Sequence, residues 1–105
     1  MNDGWVARLT TPAFTYKPSA VEMADVSKIY LVIKQNGVSV IEKDKEDATI
    51  TESGFTWVMS QEETQTLMIE RSISVQVDYL TDGGLRYTTV PKFYEVTDSA
   101  INEVI

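Results

Sequence analysis

The sequence predicts an all-β fold, a small antiparallel β-sandwich of about seven strands with one short helical turn near residues 61–68. Three observations predict it. Apolar residues recur mostly at every second position, the period of a strand with one buried face. Turn signals return about every eight to twelve residues. A single segment carries helix-start chemistry. A small barrel is the alternative architecture for the same pattern.

The elements follow in order. Ala13-Phe14-Thr15-Tyr16 is a strand bracketed by Pro12 and Pro18, while Trp5 precedes any strand pattern. Ile29, Leu31 and Ile33 alternate with Tyr30, Val32 and Lys34, which places a strand over 27–35 with the isoleucine and leucine face buried. Asn36-Gly37 separates it from a second strand over 38–44. Both turn residues accept positive φ, so the pair reads as a hairpin. Ala48 to Thr51 is a short strand, and Ser53-Gly54 leads into another, in which Phe55, Trp57 and Met59 share one face. Ser60-Gln61-Glu62-Glu63 has the spacing of a capping box and starts the helical turn over 61–68. Ile73, Val75, Val77 and Tyr79 alternate with polar neighbours in the clearest half-buried strand. Asp82-Gly83-Gly84 turns the chain into a long return strand, Leu85 to Val96. Pro91 interrupts that strand, because proline cannot donate to a ladder. Thr97 to Glu103 reads as a weak helical turn or a loose tail.

Composition narrows the function classes. The 105 residues, 43% of them hydrophobic, suit one domain over 1–105 with a single core. Nine Lys and Arg against sixteen Asp and Glu give a net charge of −7, and the basic residues are scattered. Nucleic-acid binding needs clustered cations, so no nucleic-acid partner is expected. The same balance disfavours an anionic membrane surface, and no stretch is long and apolar enough for membrane insertion. Residues 1–8 contain no apolar run, so no signal peptide is expected. There is no Cys and no His. Disulfides, thiolate or imidazole metal sites and Ser–His or Cys–His nucleophiles are therefore excluded, and no cofactor is expected.

Candidate sites are few. Glu42, Asp44 and Glu46 stand at spacing two, but a calcium loop started at Glu42 has Asp47 and Ser53 where Gly and a bidentate Glu are required. Lys43 and Lys45 lie inside the cluster. It reads as a solvated strand end whose charges blunt a sheet edge. Paired carboxylates for hydrolysis need a cleft, so no catalytic or metal-binding residue is assigned, and the chain is read as not an enzyme. Phe55, Trp57 and Tyr79 belong to apolar faces and are assigned to the core. Tyr30, Tyr87, Phe93 and Tyr94 cannot all face one core. Trp5, Tyr87, Phe93 and Tyr94 are the candidate interaction residues, because Tyr and Trp are enriched at protein interfaces.

The order of elements resembles that of small structural proteins of tailed phages and prophages of Gram-positive bacteria. Thr10-Thr11-Pro12 leads into the first strand, and Asp25 to Ile33 is followed by the hairpin at Lys34-Gln35-Asn36-Gly37. Ser60 to Thr64 is followed by an apolar turn at Leu67, and Ser74 to Tyr79 precedes Asp82-Gly83. Asp98 and Glu103-Val104-Ile105 close the pattern, which covers residues 8–105. Val90-Pro91-Lys92 departs from it, standing where a smoother apolar strand is usual. The chain is also similar to the immunoglobulin-like N-terminal module of phage baseplate proteins. The resemblance implies an immunoglobulin-like sandwich and a non-enzymatic virion or tail (baseplate) structural protein, made in the host cytoplasm. Its partners would be other phage structural proteins or a second copy of itself. The alternative is a surface- or carbohydrate-binding sandwich, whose mark would be an exposed row of Trp5, Tyr87 and Tyr94.

Overall fold

The computed structural model describes residues 3–105. Among these residues nine strands form two sheets. The strands are β1 (Trp5–Ala7), β2 (Ala13–Tyr16), β3 (Val26–Gln35), β4 (Val38–Lys43), β5 (Thr49–Thr51), β6 (Gly54–Val58), β7 (Ser72–Thr81), β8 (Arg86–Thr88) and β9 (Lys92–Thr97). The large sheet runs β1-β9-β7-β3-β4, with β8 also on β7, and the small sheet runs β2-β6-β5. Two separate sheets make this a sandwich and not a barrel. The order β2-β6-β5 and β3-β7-β9 is that of strands B-E-D and C-F-G of an immunoglobulin domain, with β4 in the C′ position.

One core lies between the sheets. Ile29, Leu31 and Ile33 of β3, Ile73, Val75, Val77 and Tyr79 of β7, and Phe55 and Trp57 of β6 are buried in it, as period two requires. The Trp57 indole stacks on Phe55 at 6.2 Å and donates its Nε1–H to the Asp44 carbonyl at 2.8 Å. That bond satisfies the polar atom of a large buried ring. Asn36 and Gly37 have φ of 55° and 75°, so the β3–β4 hairpin turns where the dipeptide predicts. A bulge beyond it shifts the register between Ile33 and Lys34 and leaves Val38 and Val40 exposed on the β4 edge.

Three expectations change. First, Trp5 does not precede the strands: β1 pairs parallel with β9, Trp5 beside Glu95 and Val6 beside Val96. Val6 is buried and Trp5 is 68% exposed, so this strand is alternating too, but three residues are too few to show a period. Second, the helix is shorter than 61–68. Helix α1 spans Gln61–Gln65 with both halves of the Ser60–Glu63 capping box in place. It stops because the side chain of buried Gln35 takes over the following backbone. Gln35 Oε1 accepts from Met68 N–H, and its Nε2 donates to the Met68 and Arg71 carbonyls. Thr97 ends β9, and the residues from Asp98 onward form bends and no helix. It is held instead by Arg8, which donates to Asp98 and Asn102.

Third, the return strand is two strands, which with β1 raises the count from about seven to nine. The break falls at Pro91, and it shifts the register. Asp78 faces Thr88, but Val75 faces Lys92, where an unbroken ladder would bring Pro91. Thr89 holds the break. Its N–H donates to the Val77 carbonyl at 2.9 Å, and its hydroxyl accepts from Val77 N–H at 3.0 Å. The Thr89 carbonyl turns away and accepts from Gln76 Nε2. Thr89→Val keeps the shape and removes that hydroxyl. The buried Val77 N–H then loses its acceptor, and we expect a stability loss of about 1–3 kcal/mol by urea unfolding, with Thr89→Ser close to wild type.

Candidate interaction surface

The register slip decides which way each aromatic faces. Tyr87 pairs with buried Tyr79, so both point into the sandwich. Tyr94 pairs with buried Ile73 and also points inward, although it is an odd number of residues from Tyr87. The one-residue slip at Pro91 reverses the parity. Phe93 therefore points outward, paired with Ser74, and is 43% exposed. Glu95 and Phe93 share the outer face of β9, and Trp5 stands beside Glu95 on β1. The four candidate residues thus divide. Trp5 and Phe93 are both exposed on the outer face at the β1 edge of the large sheet. Tyr87 and Tyr94 are half-buried on the opposite face, Tyr87 stacked on Tyr79 at 5.1 Å and Tyr94 edge-on to Phe14 at 5.5 Å. A row of Trp5, Tyr87 and Tyr94 does not form.

Tyr94 belongs to a different feature, a cleft of about 260 Å³ between the two sheets. One lip is β2, from Ala13 to Tyr16. The other is the break between β8 and β9, where Thr89, Val90 and Lys92 stand. The floor is apolar: Leu31, Trp57, Val75 and Val77. Among the described residues Lys92 is the only charged one that lines it. Binding sites for drug-sized molecules span about 300–1,000 Å³. The cleft is smaller and matches one or two apolar side chains. No signal in the sequence marks it except Pro91, whose consequence depends on the register of a partner strand distant in the chain.

The acidic cluster at 42–47 folds on itself. Asp44 Oδ1 accepts from the Glu46 and Asp47 N–H groups, and Asp47 Oδ2 accepts from Asp44 N–H. Lys45 Nζ reaches the Val26 carbonyl. Among the described residues no group of three acids could hold a metal ion. Among the described residues no helix is long and apolar enough to cross a membrane.

Three titrating groups register the packing. Burial acts to raise the Glu63 pKa, but the Lys43 ammonium at 2.6 Å and the Ser60 N–H outweigh it and hold the carboxyl below its ordinary value. The Thr88 hydroxyl, which outweighs partial burial, and the Arg86 guanidinium hold Asp78 low. Burial, then the Tyr16 hydroxyl, push Tyr79 up to about 12. Depressed carboxyls stabilise the fold fully above their unfolded pKa values, 4.5 for Glu63 and 3.8 for Asp78, and lose that contribution as pH falls. Tyr79 does the reverse: its contribution is complete below 10.0 and lost as pH rises towards about 12. Thermal melts are expected to be flat from about pH 6 to 9 and to fall on both sides, with Tyr79→Phe removing the alkaline fall.

No known protein family, curated protein or solved structure matches the chain.

Proposed function

We propose that this protein is a non-enzymatic structural component of a phage or prophage virion, in the tail or baseplate, and that it works by protein–protein association. The observation that supports this most is the outward pair Trp5 and Phe93 at the rim of the large sheet. Large aromatics exposed beside a sheet edge are the side chains that dominate binding energy at protein interfaces. The resemblance in the order of strands and turns to small phage structural proteins is the ground for proposing a phage particle. A carbohydrate platform gains less support, because the three aromatics it would need lie on opposite faces.

The test uses the purified chain, immobilised, against the separately purified structural proteins encoded beside its gene. At least one is expected to be retained. The double variant Trp5→Ser, Phe93→Ser, which removes exposed rings and leaves the core untouched, is expected to weaken retention by more than about tenfold. Retention of none of the neighbouring proteins would contradict the reading.

A further inference from the structure

In the immunoglobulin order A-B-E-D, a strand lies outside the position held here by β2. This chain places its first strand elsewhere, on β9. Among the described residues β2 pairs only with β6, so its other edge is open. The ladder shows which groups point there. Met59 N–H donates to the Pro12 carbonyl, and Ala13 faces Val58, Phe14 faces Trp57, Thr15 faces Thr56 and Tyr16 faces Phe55. Antiparallel pairs alternate between bonded and non-bonded. Counting from Pro12, the backbone of Phe14 and Tyr16 bonds to β6, and the N–H and C=O groups of Ala13 and Thr15 point outward. Pro12 has the inward parity and Pro18 lies beyond the end of β2, so neither proline blunts this edge.

The open edge is also one lip of the apolar cleft. A strand laid along β2 turns alternate side chains toward that cleft, beside the Phe14–Tyr94 pair. The opposite lip, Val90, is 85% exposed and would be covered. Charge selects the occupant. The chain carries −7, yet among the described residues no carboxylate lines the cleft. Lys92 stands on one lip and Lys17 continues β2 at its end, and neither has an ion-pair partner among the described residues.

We propose that the open edge of β2 accepts an extended segment of a partner protein as an added strand. The segment places an apolar side chain in the cleft and carboxylates opposite Lys17 and Lys92. This assigns a site and a partner chemistry to the association proposed above and rests on that reading. Main-chain bonds to Ala13 and Thr15 would give affinity, and the cleft and the two lysines would give specificity.

The probe is an acetylated and amidated heptapeptide of alternating valine and threonine with glutamate at each end. It is titrated into the isotope-labelled full chain to about 1 mM and followed through backbone amides. The expected result is saturable shifts centred on Ala13 to Tyr16 and Lys92. Ala13 and Thr15 amides should gain at least about tenfold protection from exchange. Lys17→Glu with Lys92→Glu, both surface changes, should weaken binding by about tenfold or more. Thr15→Pro should abolish it, because proline deletes an outward N–H and keeps the backbone bonds to β6, whereas Thr15→Val, which like proline loses the hydroxyl bond to Thr56, should bind as the wild type does. Three results would overturn the proposal. One is no shift at β2 over the whole titration. The second is equal binding of a lysine-ended peptide. The third is protection of Ala13 and Thr15 that grows with protein concentration without peptide, which would assign the edge to a second copy. A failure here with retention of a neighbouring protein by Trp5 and Phe93 would remove the β2 site and leave the structural role standing.

Discussion

Replacing Gly54 by alanine is expected to cost about 3 kcal/mol or more, and to do so through backbone and not packing. Gly54 has φ of +122°, where residues with a Cβ are strained. Space makes the site stricter than the angle alone. A Cβ there would stand 2.4 Å from the Tyr16 carbonyl oxygen and 2.8 Å from its carbon. Both are backbone atoms of β2, so no flexible side chain can move aside. Relief requires β2 to move off β6, which opens the Phe14–Trp57 and Tyr16–Phe55 pairs. Urea unfolding checks the magnitude. Amide exchange checks the route, because protection should be lost first in β2 and β6 and last in β3 and β7. Gly37→Ala is the contrast: nothing lies within 4 Å of a Cβ there, and only the φ of 75° resists it. It is expected to cost about 1 kcal/mol.

Trp57→Ala is expected to cost about 3–5 kcal/mol. The indole is 0% exposed, packs on Phe55 and lies under the cleft that β2 borders. Its removal joins the new void to that cleft, and the Asp44 carbonyl loses the Nε1–H that holds the 44–47 turn. Trp57→Phe separates the two effects. It keeps most of the ring volume and loses only the hydrogen bond and part of the packing, at about 1–3 kcal/mol. Differential scanning calorimetry of both variants checks the order. A phenylalanine variant as damaged as the alanine one would mean that the bond to Asp44, and not the volume, holds this corner.

Most of the fold was legible because most of it obeys period two. Ile29, Leu31 and Ile33, and Ile73 to Tyr79, carry their burial in their spacing. Asn36-Gly37 and Ser60-Gln61-Glu62-Glu63 carry local hydrogen-bond and φ requirements that hold whatever surrounds them. The misreadings share a different physics. β1 is too short to show alternation, and it is a strand only because β9 lies alongside. The end of α1 is set by Gln35, more than thirty residues earlier in the chain, whose amide competes for the backbone of Met68 and Arg71. The faces of Tyr87, Phe93 and Tyr94 depend on a register slip that exists only when β8 and β9 are laid against β7. Pro91 announces a break in the sequence, but whether the break drops or adds a residue is decided by the partner strand. The candidate surface was legible in the same measure. The aromatics were identifiable as a set, and their division into an outward pair and a cleft wall was not.

As proposed above, the chain is a built-in part of a phage particle and acts there by association. Quantitative mass spectrometry of induced, gradient-purified particles tests it most directly. This chain is expected in the particle fraction at a fixed ratio to the tail proteins, lowered when Trp5 and Phe93 are both replaced by serine. Particles that assemble and infect normally with none of this chain present would contradict it.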